Sequence, residues 1–562
     1  MNKQFFFLQS NFLKKITKLI RKNKTEFIIG VFSVIFSSWL MFVTFSHESG
    51  NILISVKAWS DFASHIPLIR SFSLGDNFPP QYPLFPGSPI RYHFLFYLIA
   101  GLLEKIGFRL DYALNIPSII GFSGLIIIIY ALSKLLFKSK TVGVLSAIFF
   151  LFNGSLSFLY LLKDHPLFSG NFIIDVISNK NFSSFAPYYG DGIVSAFWNL
   201  NIYTNQRHLA FSYALSLFII YIFLKQILKK KKISVRLSVI LGIISGISFM
   251  LNMAVFAITT LIVFILFILF NKNRLSLLTF LFFSAITALP SYINLQSIGS
   301  SSSLSFYPGY LINNNLTFNN FFHYWFYNIG LHLLLIPLGF FIAPKPIRKI
   351  FIVFLSLFIF ANLFKFSSEI AANHKFFNYF MIVGVMFSAR ALTWLWNKKT
   401  LLKPVAVVLT FFLILSGIID FFPIYNDNKL PLADYNINPD IKWIKENTPT
   451  NAVFLNTDFL YTTSSLAGRK IFLGWPYFAW SQGYDTNQRG TIRNLILTTD
   501  NKNYACALLK QNKIDFIEVS PVAPNPDNPA ISTMYFDSFV SVYKNPVNGY
   551  RILNVQKSCQ GL

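Results

Sequence analysis

The residues best suited to chemistry lie in one stretch, WSDFASHIPLIRSFSLGDNFPPQYPLFPGSPIRYHFLFY, residues 59–97. Asp61 and His65 are four apart, so on a helix they share a face. A carboxylate so placed can take a proton as a general base or bind a metal. Its plain alternative is a helix cap, a common use of Asp. Arg91, Tyr92 and His93 close the stretch. An arginine there can grip a phosphate through two parallel hydrogen bonds, or it can anchor to phospholipid headgroups. Six prolines stiffen the segment, and its aromatics suit a membrane surface.

Other candidates lie further along. Asp164, in KDH (163–165), can supply the second carboxylate that a metal-assisted phosphate site needs; a lone Asp at a helix end is otherwise solvated. Arg207 and His208 end the run NQRH and open an apolar segment, where charge is costly unless it faces a cavity. His374 and Lys375 stand at the edge of another apolar segment. Lys375 offers a point charge to a phosphate, or it snorkels to headgroups. The run RKIFLGWPYFAWSQGYDTNQR (469–489) mixes aromatic faces with planar polar groups, as a sugar-binding surface does; a soluble core uses the same residues. The sequence holds no GxxxxGK[ST], HExxH, GxSxG or CxxC pair, so P-loop nucleotide hydrolysis and zinc proteolysis lack their motifs.

These residues need a frame, and composition names it. Of 562 residues, 54% are hydrophobic and 12% charged, against about 25% charged in a soluble domain. The expected fold is a polytopic α-helical membrane protein. Eleven apolar runs read as spans: 27–45, 116–132, 142–162, 209–224, 237–251, 254–270, 275–289, 329–343, 350–363, 377–389 and 404–419. The net charge of +26 does not point to nucleic acid. Segments 1–25, 134–141, 225–236, 271–274, 345–349 and 390–403 carry 25 of the 48 Lys and Arg and no acid, the positive-inside pattern. One topology puts all six in the cytoplasm, provided 93–107 lies at the interface and does not cross.

The domains expected are a basic cytoplasmic segment 1–25, a membrane domain 26–422 with large outside loops 46–115 and 163–207, and a small outside α/β domain, 426–562. In the last, 441–447 reads as a helix, and 452–455, 470–473, 515–519, 539–543 and 551–555 read as short buried strands. Cys506 and Cys559 both fall there; one disulfide and two free thiols remain equal readings.

The layout resembles the GT-C superfamily of membrane glycosyltransferases, with its protein O-mannosyltransferase, aminoarabinose transferase and oligosaccharyltransferase branches. Asp61 of WSDFASH matches by position the catalytic Asp of the first outside loop. PLFPGSPIRYHFLFYLIAGLLEKIGF is similar to the segment that follows that Asp, and Asp164 falls near a second outside acid. The resemblance implies inverting transfer of a sugar from a polyprenyl-phosphate-linked donor to a glycan, lipid or protein acceptor, with the bilayer as solvent for the lipid. Asp61 would be the base, and the donor and acceptor would be held by His65, Arg91, Tyr92, His93, Asp164, Arg207, His208, His374 and Lys375. A divalent metal stays open, because WWDYG is absent and the Asp-Glu pair of the mannosyltransferases is Asp61-Phe62 here. The rival classes are a transporter or lipid flippase, which would need polar groups at mid-helix depth, and a non-catalytic scaffold of the same fold.

Overall fold

The computed structural model describes residues 21–165, 170–184, 192–296, 304–312, 315–520 and 536–561. Most of the basic segment 1–25 and part of the 163–207 loop therefore lie outside the described residues. Seven helices are long and apolar enough to cross a membrane: Lys24–Thr44, Leu110–Phe137, Arg207–Leu228, Asn271–Leu295, Lys345–Leu363, Ile370–Lys398 and Leu402–Tyr425. The other four expected spans form shorter helices. These are Lys140–Leu151, Val235–Met250, Met253–Leu269 and His332–Ile342, the last joined to Phe318–Ile329 at a 90° bend. By length and composition, eight candidates pass when that bent pair counts as one span.

Two of the shorter helices show why they end early. The 142–162 run breaks after Leu151 at Asn153, Gly154 and Ser155, residues that favour turns over helix. Met253–Leu269 has 17 residues; at 1.5 Å each it extends about 25 Å, short of a hydrocarbon layer of about 30 Å. Apolar side chains such as Phe27, Ile28, Phe32 and Ile35 point outward from the first span, as lipid requires. The chain is a multi-pass membrane protein. Ile370–Lys398 runs through its centre and is enclosed on nearly all sides. Gly339 lets the His332–Ile342 helix press on the backbone at Phe387, where any side chain would collide.

Above the first span the chain turns back as a hairpin, Phe45–Glu48 with Asn51–Ser55. Its two-residue turn, Ser49-Gly50, takes left-handed φ values of 49° and 84°, the geometry that matches strand twist. Lys429–Ala433, just past the last span, adds the third strand. The helix Trp59–Ser73 follows and packs on Leu95–Lys105, whose 11 residues are too few to cross a bilayer.

The C-terminal region forms a five-stranded sheet. Val453–Asn456 runs parallel to Lys470–Ile471 and Phe516–Val519, while Arg551–Asn554 pairs antiparallel with both Phe516–Val519 and Ser541–Lys544. Cys506 and Cys559 form a disulfide there. One buried apolar cluster unites this sheet with the outer helices, Phe62 and Ile66 sharing it with Phe454 and Ile517.

A buried triad locks the two parts together. Arg70, fully enclosed, grips Asp434 with Nη1–Oδ1 3.0 Å and Nη2–Oδ2 2.9 Å. Its Nε lies 2.9 Å from Glu104 of the Leu95–Lys105 helix. Removing one member of such a group strands the others without solvent. Arg70→Ala should therefore cost about 3–5 kcal/mol, read as a lowered melting temperature of the detergent-solubilised protein. Adding Glu104→Gln and Asp434→Asn should restore part of that loss.

Candidate functional site

Asp61 occupies the first turn of the Trp59–Ser73 helix, where the helix dipole favours a carboxylate. It is half-buried. Burial pushes its carboxyl up to about 6, against the opposing pull of Lys375 and a hydrogen bond from Asn205. Asn205 is itself fixed, its amide donating to the Lys57 carbonyl at 2.9 Å.

Lys375 opens the central span, where its backbone carbonyl accepts from the Tyr213 hydroxyl at 2.7 Å. Among the described residues its ammonium closes no ion pair, yet Asp61 and Glu369 both act on it. The Asp61 carboxylate and the Lys375 ammonium thus feel each other's charge without closing an ion pair among the described residues. Glu369 is held from the other side, accepting from the Tyr477 hydroxyl at 2.7 Å.

Beside this pair lies a neutral cluster. His93 and His208 meet Nε2 to Nε2 at 2.6 Å, and the Tyr97 hydroxyl is 2.9 Å from His208 Nδ1. His65 stacks on Tyr97 at 4.6 Å between centroids, one helical turn from Asp61. Tyr92 lies on His93 at 3.4 Å. Burial, reinforced by the Arg207 charge, pulls His65 down to about 3. Burial also lowers His93, with His208 and Lys375 adding to it. These imidazoles are therefore neutral at pH 7 and offer hydrogen bonds without charge. Tyr92 and Tyr97 are both raised by burial first; Asp61 adds to this at Tyr92, and Tyr92 and then Asp61 add to it at Tyr97. His374 is buried beside Lys375 and stacks on Phe197 at 4.7 Å.

The structure thus brings together Asp61, His65, Tyr92, His93, His208 and Lys375, with His374 alongside. Three expected contributors do other work. Arg207 is fully buried and spends its donors on the protein: Thr204 O at 2.7 Å, Asn115 Oδ1 at 3.0 Å, Thr44 Oγ1 at 2.8 Å, Met41 O at 3.3 Å and Met41 Sδ at 2.6 Å. It pins the head of its span to the first two long spans instead of gripping a phosphate. Arg91 donates to the Gly483 carbonyl and lies over Tyr484 at 4.7 Å, fastening the stretch to the C-terminal region. Asp164 ends a short helix, Phe158–Asp164, exposed to solvent and outside the cluster.

Among the described residues no three His, Cys, Asp or Glu side chains are arranged to hold a metal ion. Asp61 faces a cation where a divalent ion would want a second acid. In the 469–489 run, Tyr484 and Arg489 are taken by docking, with Arg489 over Phe85 at 3.5 Å; Tyr477 and Trp480 stay half exposed.

Sequence reasoning passed over Asn205, Tyr97 and Tyr461. The first two lie inside segments already singled out. Tyr461 carries no local signal, because it meets Trp59 across a sequence separation of 402.

No family model matches the chain, and no curated protein matches it. Among solved structures it is similar to the Archaeoglobus fulgidus oligosaccharyltransferase tethered with an acceptor peptide containing the NVT sequon. Identity there is 13%, the match covers 87% of this chain and 69% of that one, and the TM-score is 0.48. AglB from the same organism, in complex with an inhibitory peptide and a dolichol-phosphate, matches over the same shares at 13% and 0.43. ArnT from Cupriavidus metallidurans in the apo state matches at 11% identity, over 89% of this chain and 94% of that one, with a TM-score of 0.45. These neighbours are GT-C membrane glycosyltransferases. Scores of this size carry no residue correspondence, so the functional reading rests on the site itself.

Arg207→Met tests the corrected role of that residue. It leaves several buried acceptors unpartnered, each costing about 1–3 kcal/mol. The expected result is a lower melting temperature and poorer yield; a weakened substrate affinity at unchanged stability would restore the phosphate-gripping role.

Proposed function

We propose that the protein is an inverting membrane glycosyltransferase that moves a sugar from a polyprenyl-phosphate-linked donor to an acceptor outside the cytoplasm. The observation that carries this reading is the unclosed pair: a half-buried carboxylate, Asp61, in the field of the Lys375 ammonium beside neutral imidazoles and phenols. A salt bridge would satisfy both charges. A gap between them suits a reaction in which one end gains a proton and the other end gains negative charge.

In that reaction the acceptor hydroxyl attacks the anomeric carbon while Asp61 takes its proton. The bond from the anomeric carbon to the phosphate oxygen breaks, and the electron pair leaves with the polyprenyl phosphate. Lys375 meets that developing charge, while the His93–His208–Tyr97 network can donate to sugar or phosphate oxygens without adding charge of its own. The acceptor chemistry sits with the C-terminal region, and the basic loops lie on the cytoplasmic side. An apolar cavity of about 650 Å³, lined by Phe249, Phe256, Phe264, Leu281, Leu289 and Tyr292, lies between two helices of the membrane part. It supports a lipid-borne donor, since a prenyl tail needs such a surface. Leu251, in the turn at its end, belongs to the same buried cluster as Tyr97.

Deleting the gene in its host and comparing envelope glycans by mass spectrometry should reveal a missing sugar. Wild type should restore it, and Asp61→Asn should not, the base being worth about 10²–10⁴ in rate. Restoration by Asp61→Asn would overturn the reading. The pH dependence is a second check. Asp61 must be ionised to act, so kcat/KM should fall as pH drops through about 6. Lys375 lowers that value, so Lys375→Met should move the acid limb to higher pH and reduce kcat.

A further inference from the structure

We infer that the C-terminal domain is a working part of the catalytic centre: its Tyr461 is a positioning residue that holds the helix bearing Asp61 in place. This rests on the transferase reading above.

Tyr461 lies in the loop that follows Val453–Asn456, at the carboxyl edge of the parallel strands, where such sheets usually place their ligand-handling loops. The root of that loop is fixed from within. Arg493 donates to the Asn456 carbonyl at 3.0 Å and to the Thr457 carbonyl at 2.8 Å, and it lies over Phe459 at 4.3 Å. Thr457 Oγ1 also accepts the Ser520 amide at 3.0 Å. From this base the loop projects Tyr461 with φ at 50°. A left-handed conformation is unusual for a bulky side chain and persists only when the surroundings impose it.

What imposes it is the helix of Asp61. The Tyr461 hydroxyl donates to the Trp59 carbonyl, and the two rings lie 4.3 Å apart between centroids. Trp59 is the first residue of that helix, two before Asp61. The phenol also feels the Asp61 carboxylate directly, which together with burial keeps it protonated and able to donate. Docking of the domain does not need this contact. The Arg70 triad, Arg469 on the Leu74 carbonyl at 3.0 Å and Arg91 on Gly483 already supply it. Tyr461 is the outer-domain side chain that reaches the turn carrying the base.

The test uses the full-length protein in nanodiscs. Carbodiimide labels a protonated carboxyl, so labelling of Asp61, followed by mass spectrometry, should fall through about pH 6 in wild type. In Tyr461→Ala the lost ring admits water to Asp61, and the labelling midpoint should drop toward the ordinary carboxylate range. Tyr461→Phe keeps the ring and loses the pin. Its kcat should fall about fivefold to tenfold, the rate equivalent of one positioning hydrogen bond, with the donor KM unchanged. A labelling midpoint and kcat equal to wild type in both variants would overturn the inference, even with Asp61→Asn inactive. A lowered melting temperature with an unmoved midpoint would reduce Tyr461 to a docking contact and overturn it too. Full activity of Asp61→Asn would instead remove the transferase reading, while the labelling result would still report on Tyr461.

Discussion

Everything outside the membrane depends on one enclosed guanidinium. Arg70 takes one carboxylate from the short outer helix and one from the strand that leads to the C-terminal sheet. The three charges are excluded from water, so each requires the others. Because Arg70 lies on the helix that begins with Trp59 and Asp61, this lock also sets where the Asp61 carboxylate stands. The buried lock and the proposed base lie toward the two ends of one 15-residue helix.

Charge inside the protein follows a simple division. Arg207 is buried and surrounded by neutral oxygen and sulfur acceptors, and it ties three spans at their outer ends. Lys375 has its ammonium in no ion pair among the described residues. The imidazoles between them are kept neutral by burial and by those two cations. Arg207 is thus structural but still affects the site, because its field helps deny a proton to His65. Such a setting leaves the Asp61 carboxylate with proton affinity near neutrality.

Much of this frame was legible before any coordinates. Apolar composition and the alternation of basic and acidic loops mark a membrane protein whatever its packing, and each of the eleven apolar runs contains a helix. Span lengths were less legible, because a turn such as Asn153-Gly154-Ser155 hides inside an apolar run whose average hydropathy stays high. The Asp61–His65 spacing signalled a shared face correctly, since both lie on one regular helix. Arginines were the weak point. Residue type announces a fork of donors but not its acceptors, so Arg91 and Arg207 read as phosphate ligands while their partners are backbone carbonyls, an amide and a hydroxyl. The Ser49-Gly50 hairpin went unread because its third strand arrives only at Lys429.

That third strand bears on how the molecule is made. The first hairpin leaves the ribosome early, but its partner strand, Lys429–Ala433, is translated only after the last span. Asp434, which Arg70 requires, follows at once. Until then the hairpin keeps an open edge, a template for wrong pairing, and Arg70 has only Glu104. Maturation of this face is therefore a post-insertional event, in which late-arriving chain seals a half-built cap. A truncated or stalled nascent chain would insert its helices and still lack an ordered exterior, which makes that bare edge a natural handle for quality-control proteases.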